Sequence, residues 1–208
     1  MTSADIIIGG GSLSALAAAI TAANISKAAQ ATGAIPPRIV LLEPTDWPGG
    51  QLTASNVPPD FGAPNSVPEN LPASFVNLLL NVAGPDWKTN PGLCWVSYKC
   101  FKAQQAAEYI KSWLEEYSPY LTVYYNTVIK SASRNQLSGR IEEIVSITRS
   151  PISGSGWENN LSTNVIDWYS EINSDEFLKN TTVFRDMHTV IEGTEWGDIL
   201  VTAELDFV

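Results

Sequence analysis

The stretch Asp5–Ala23, DIIIGGGSLSALAAAITAA, constrains this chain more than any other. Three readings compete for it: a nucleotide-binding turn, a buried helix rich in small residues, and a secretion signal. Asp5 to Ile8 is a β-branched run and reads as a buried strand. Gly9, Gly10 and Gly11 break it. Ser12 then caps a helix that runs to about Ala31, with Leu13, Leu16, Ala17 and Ile20 as its apolar face. Gly33, Pro36 and Pro37 end the helix, and Arg38 to Glu43, RIVLLE, is a second buried strand. Strand, turn, helix and strand make a βαβ unit, whose strands are expected to be parallel and joined right-handed. The signal reading is disfavoured: no Lys or Arg precedes the apolar stretch, and Asp5 sits where a positive charge belongs.

The 208 residues suit one domain, or one domain and a small second lobe. Twelve Lys and Arg face 22 Asp and Glu, a net charge of −10 that repels phosphate backbones and argues against a nucleic-acid partner. That charge does not argue against a nucleotide cofactor, because backbone N–H groups bind phosphate without a basic side chain. Cys94 and Cys100, with His188 as the single histidine, form neither a zinc framework nor a disulfide scaffold, so no metal is expected. No run is long and apolar enough to span a bilayer. A cytoplasmic, reducing compartment is the default expectation, without a membrane partner.

Residues 44–70 are rich in Pro and Gly and read as a long loop, a feature that is usually functional or disordered. A helix is predicted over 72–82 and another over 102–117, where Ala106, Tyr109, Ile110, Trp113 and Leu114 share a face. Strands are predicted over 121–125, 127–133 and 140–148, the last two joined by the turn RNQLSG. A weaker strand is placed at 164–169, a short helix at 175–179 and a last buried strand at 189–192.

Chemistry concentrates at the glycine turn. A dinucleotide fingerprint needs Gly-x-Gly-x-x-Gly, or Ala at its end, between strand and helix. Here Gly9 permits the tight turn, Gly11 is expected to let the backbone approach a pyrophosphate, and Ser14 with Ala15 supplies the small third position. The helix N-terminus would then face the phosphates with free N–H groups. Glu43 ends the second strand, 32 positions past Gly11 where about 20 is usual, and is expected to accept hydrogen bonds from the adenosine ribose. The bland alternative is a doubly wound domain with a glycine-rich turn and no ligand.

The segments DIIIGGG, LLEPTDWPGGQLT and VIEGTEWGD resemble FAD-dependent oxidoreductases of the glutathione-reductase-like superfamily. The resemblance is strongest over residues 5–53 and 188–198 and implies an α/β, Rossmann-like FAD-binding domain over residues 1–208. That domain would have a parallel central sheet, flanking helices and a β-meander. It also implies FAD as cofactor and hydride or electron transfer on a small organic substrate of unknown identity. Carried over by position, Gly9, Gly11, Ser12 and Leu13 would line the pyrophosphate, and Glu43 and Pro44 would meet the ribose. Gly49, Gly50, Gln51, Leu52 and Thr53 would pass beside the ribityl chain and flavin, Val128 would offer backbone groups to adenine, and Gly193 and Thr194 would return to the cofactor.

Relatives of this kind are longer. A C-terminal part that closes over the flavin is expected to be missing here, because the chain is either a fragment of a longer enzyme or a reduced relative, or to be supplied by a second chain, which puts catalysis by this chain alone in doubt. EGT at 192–194 departs from the Asp-Ala-Thr of such relatives, so a ligand role for Glu192 is unsupported. Trp47 and Trp95 are more readily packing residues than flavin neighbours, and His188 is more readily structural than a general base. Cys94 and Cys100 lack the spacing of a redox-active pair. Asp198 has two equal readings, a ribityl contact and a helix N-cap. Glu115 and Glu116 read as a solvated helix face. Two other functions stay open: a nucleotide-binding or scaffold protein without turnover, and an NAD(P)-dependent dehydrogenase. No catalytic residue is identified.

Overall fold

The computed structural model describes residues 2–57, 72–85, 93, 101–156 and 168–205. Cys94, Trp95 and Cys100 lie outside them, as does the expected strand at 164–169 up to Asp167; Trp168 and Tyr169 lie in a turn. The strands are β1 (Thr2–Ser3), β2 (Ile6–Gly9), β3 (Ile39–Leu42), β4 (Leu121–Tyr124), β5 (Thr127–Arg134), β6 (Ile141–Pro151), β7 (Phe177–Arg185) and β8 (Thr189–Glu192). The α-helices are α1 (Leu13–Ala31), α2 (Ala73–Ala83), α3 (Ala103–Glu115) and α4 (Asp198–Thr202).

A parallel sheet in the order β4-β3-β2-β8 forms the centre. The continuous apolar runs of β2 and β3 follow from burial on both faces. Ile8, Ile39, Leu41 and Leu121 point to one face and pack with Leu16 and Ile20 of α1 and Ile110 and Leu114 of α3. Ile7, Val40 and Leu42 point to the other and pack with Ile129, Ala132, Ile144 and Phe184 of a second sheet and with Ile199 of α4. That second sheet, in the order β1-β7-β6-β5, is an antiparallel meander of β5, β6 and β7 with β1 added in parallel. The result is three layers: helices, parallel sheet, meander. Among the described residues, no helix is long and apolar enough to cross a membrane.

Ser12 caps α1 as expected, its hydroxyl accepting the Ala15 N–H at 3.3 Å. The buried stripe of α1 is Ala15, Leu16, Ala19, Ile20, Ala23 and Ser26, and Ala17, assigned to the apolar face from sequence, is exposed. Alanines at fourfold spacing let the helix lie close to the sheet, and Ala17 is turned roughly 200° from Ala15. The face predicted for α3 is the one that packs, and Glu115 and Glu116 are exposed.

The short helix expected at 175–179 is instead a bend at 175–176 and the start of β7 from Phe177, in unbroken register with β6 from Phe177↔Pro151 to Arg185↔Glu143. β8 pairs with the core strand β2 but is itself an edge, so it is only partly buried and Thr189 is exposed. His188 is exposed too, and its backbone N–H donates to the Asp5 carbonyl at 2.9 Å.

Candidate functional site

The site gathers at the carboxyl ends of β2, β3 and β8, where open parallel sheets bind ligands. Each glycine of the turn answers a different demand. Gly9 packs under the meander, where an added Cβ would stand 2.6 Å from Ile129 Cδ1. Gly10 has φ +82°, and a Cβ there would meet the Gly193 carbonyl oxygen at 2.3 Å. At Gly11 a Cβ would fall 1.2 Å from Glu43 Oε2. The structure thus gives Gly11 a second reason to be glycine, the seat of a carboxylate, beside the approach to pyrophosphate expected from sequence.

Glu43 follows β3 directly and is 3 % exposed. Pro44 holds it extended, because a proline disfavours helical backbone in the residue before it. Thr127 N–H donates to the Glu43 carbonyl at 2.8 Å and ties the strand end to β5. Its Oε1 accepts two bonds from Thr45, one from N–H at 2.8 Å and one from the hydroxyl at 2.6 Å. Oε2 is buried and has no partner among the described residues. Burial pushes the carboxyl up to about 7; the Thr45 bonds oppose the rise, and the charges of Glu195 and Asp46 add to it. Tyr125, at the end of β4, is pushed up to about 12 by burial and by the negative charge of Glu43.

The loop after Glu43 folds back onto the glycine turn. Thr45 Oγ1 accepts the Trp47 N–H at 2.9 Å, and Thr53 Oγ1 donates to the Trp47 carbonyl at 2.9 Å. Gly49 N–H donates to the Gly11 carbonyl at 2.8 Å. Gly49 and Gly50 have φ of +123° and +55°, and Gly50 to Leu52 form a single 3-10 turn. A Cβ on Gly50 would meet Glu195 Oε1 at 2.6 Å and Ser12 Cα at 3.2 Å. Gln51 is exposed, whereas Leu52 and Thr53 are buried.

The third wall follows β8. Ser12 donates its hydroxyl to the Gly193 carbonyl at 2.8 Å, joining the cap of α1 to this segment. Glu192 clamps it from below: Oε1 accepts the Thr194 N–H at 2.6 Å and Oε2 the Ile199 N–H at 2.8 Å. Asp198 is the first residue of α4, not its cap, which is Gly197. The Asp198 carboxylate accepts the Tyr169 hydroxyl at 3.1 and 3.2 Å, and burial raises its pKa above the usual carboxylate value.

Gly9, Gly11, Ser12, Leu13, Glu43, Pro44, Gly49 to Thr53, Gly193 and Thr194 therefore lie around one corner of the molecule. Val128 lies deeper, buried in β5 opposite Ile147, two residues past Asn126, whose N–H donates to the Thr45 carbonyl at 3.0 Å. Sequence reasoning missed Gly10, Thr45 and the clamping role of Glu192. Gly10 had a signal in the triple glycine; Glu192 depends on which amides approach it, and Thr45 on how the loop after β3 turns back to Glu43.

A buried acceptor without a partner, a cradle closed to any Cβ and a capped 19-residue helix aimed at them fit a dinucleotide. Among the described residues, the Leu13 and Ser14 N–H groups have no acceptor and suit a phosphate. Fold and site define a dinucleotide-binding α/β protein. The chain belongs to the FAD dependent oxidoreductase family, whose sequence profile matches residues 5–155, and FAD is its cofactor. A search of curated proteins found no match. Among solved structures the chain is similar to THI4 of Thermovibrio ammonificans, with 16 % identity and a TM-score of 0.50 over 96 % of this chain. At that identity the likeness speaks for the fold, and the chain spans 61 % of the length of that neighbour.

Proposed function

We propose that this chain is the FAD-binding part of an oxidoreductase in the glutathione-reductase-like superfamily, acting on a small organic substrate. The observation that carries the reading is Glu43 Oε2, a buried oxygen without a partner, seated against Gly11 at the end of β3. An uncompensated buried acceptor is costly, and a ribose hydroxyl donating to it would remove that cost. Leu13 and Ser14 at the N-terminus of α1 would hold the pyrophosphate by backbone N–H groups. Gly49 to Thr53 would run beside the ribityl chain and ring, where glycine lets the backbone come close. Val128 would border the adenine. Gly193 and Thr194, fixed by Glu192 and Ser12, would form the opposite wall.

When bound, FAD supplies a ring that takes up a hydride. The residues of this chain bind and orient it, and their dense packing at Glu43 excludes water. The groups that contact the substrate belong, in this reading, to a further part or a second chain that completes the flavin side. The test is the visible spectrum of the purified chain, with and without added FAD, after gel filtration. Retained flavin absorbance supports the reading. A folded protein that retains none means either that the part completing the flavin side is needed for binding or that the chain is a nucleotide-fold scaffold, and retention of NAD(P) instead favours the dehydrogenase alternative.

A further inference from the structure

We propose that Thr45 is a positioning residue for the cofactor: it locks one oxygen of the Glu43 carboxylate, turns the other toward the ribose, and links that carboxylate to the Gly49–Thr53 turn. The inference rests on the FAD reading above and extends it to a residue outside the fingerprint. A carboxylate can exchange its two oxygens by rotating its terminal torsion. Here Oε1 is held twice by one residue, at 2.8 Å by the Thr45 N–H and at 2.6 Å by its hydroxyl. Pro44, between them, has no N–H to compete.

Thr45 is itself fixed. It is 6 % exposed, its carbonyl accepts the Asn126 N–H at 3.0 Å, and a β-branched side chain has few rotamers to choose from. Its hydroxyl has one proton and two acceptors in reach, Glu43 Oε1 at 2.6 Å and the Trp47 carbonyl at 3.0 Å. The shorter, charge-assisted bond takes the proton when Glu43 is ionised. The hydroxyl oxygen still accepts the Trp47 N–H, and the Trp47 carbonyl is served by Thr53 at 2.9 Å. A continuous path therefore runs from the ribose carboxylate through Thr45 and Trp47 to Thr53.

The test compares wild type, Thr45→Val and Thr45→Ser in two measurements. The first follows the Glu43 carboxyl carbon by NMR against pH in the cofactor-free chain. The charged or titratable groups facing Glu43 are Asp46, Glu195 and Tyr125, and all remain in these variants. Thr45→Val removes a bond that favours the ionised form, so the Glu43 midpoint rises, and Thr45→Ser returns it to the wild-type value. The second is FAD titration at pH 8, where Thr45→Val binds about tenfold more weakly and Thr45→Ser binds as wild type. Unchanged midpoint and affinity in Thr45→Val overturn the proposal. If Thr45→Val is too unstable to titrate, Glu43→Gln with and without Thr45→Ala replaces it: an equal loss of FAD affinity on removing Thr45 in both backgrounds overturns the proposal. A wild-type chain that binds no FAD overturns the cofactor reading, and the NMR midpoints then still decide whether Thr45 holds the carboxylate.

Discussion

Glu43 occupies the space that any side chain at Gly11 would need. A Cβ at position 11 would sit 1.2 Å from Oε2 and 2.4 Å from Cδ, so the Glu43 carboxyl group must shift out of its seat. A strand end and a glycine turn, 32 positions apart in the chain, are thus one fitted unit.

Gly11→Ala should therefore destabilise the fold by about 1–3 kcal/mol, the range for overpacking, and abolish FAD retention. The penalty should shrink when the carboxylate is removed first. In urea denaturation, Gly11→Ala in a Glu43→Ala background should cost at least 1 kcal/mol less than in wild type, roughly the coupling of two residues in contact. Additive losses would show that the clash relaxes without cost.

Gly10→Ala should be worse. Its φ of +82° strains any L side chain, and the obstacle is backbone: the Gly193 carbonyl oxygen would stand 2.3 Å from the new Cβ. Gly33 has φ +87° with nothing within 4 Å of the same position, and isolates the strain alone. Gly33→Ala should cost about 1–2 kcal/mol, and Gly10→Ala more than that by about 2 kcal/mol. Melting midpoints of the two variants, measured side by side, check the order.

Glu43 makes the stability of the cofactor-free chain depend on pH. Its carboxyl titrates at about 7 in the folded chain against 4.5 for an ordinary glutamate. Between those values the folded state holds a proton that the unfolded state has released. Stability therefore falls as pH rises from about 4.5 to about 7, by about 3 kcal/mol, and stays at the lower level above that. Glu43→Gln should flatten this part of the curve. Ribose hydroxyls donate to the ionised form, so FAD affinity should rise as pH rises toward about 7, with proton release on binding below pH 7. Calorimetry in buffers of different ionisation heat reads that proton directly.

Much of this geometry is legible in the sequence. The β-branched run, the glycines and the Ser12 cap are local signals, and Glu43 stands out because a charge ends an otherwise apolar strand. The β7 strand was not legible. FLKNTTVFR carries its two phenylalanines seven positions apart, and they turn to opposite faces of the meander. Only the long pairing with β6 explains a strand there. Ala17 is turned away from the sheet because an alanine-rich helix has little amphipathic contrast, so the close-packing stripe is set by the sheet it meets. Glu192 escaped because its partners are backbone amides, and no residue type advertises which amide will be near; Thr45 escaped because its hold on Glu43 depends on how the loop after β3 turns back.

Glu192 gives a prediction of its own. Both of its oxygens accept from amides, of Thr194 and of Ile199, so neither can be replaced by a donor. Glu192→Gln keeps the size and sets an NH2 against an N–H. It should cost about 1 kcal/mol, because both bonds are only partly buried and water can reach the freed N–H. Hydrogen exchange should speed up at the amides of Thr194 and Ile199 while β3 amides keep their protection. Unchanged exchange at both positions would mean that α4 and the Gly193–Thr194 wall stand without the clamp.

The acidic corner has a consequence for affinity. Glu195 Oε1 lies 2.6 Å from the position of a Gly50 Cβ, beside the cap of α1, and its charge raises the Glu43 pKa. A pyrophosphate brought to that helix end must approach against it. Glu195→Gln should strengthen FAD binding about two- to fivefold at low salt, with the gain shrinking as the Debye length drops to about 8 Å at physiological ionic strength. The same variant should lower the Glu43 titration midpoint, because a like charge has been removed. Flavin fluorescence titrations at two salt concentrations check the first effect and carboxyl NMR the second. Weaker FAD binding in Glu195→Gln, at an unchanged fold, would instead make Glu195 a partner of the cofactor's hydroxyl groups.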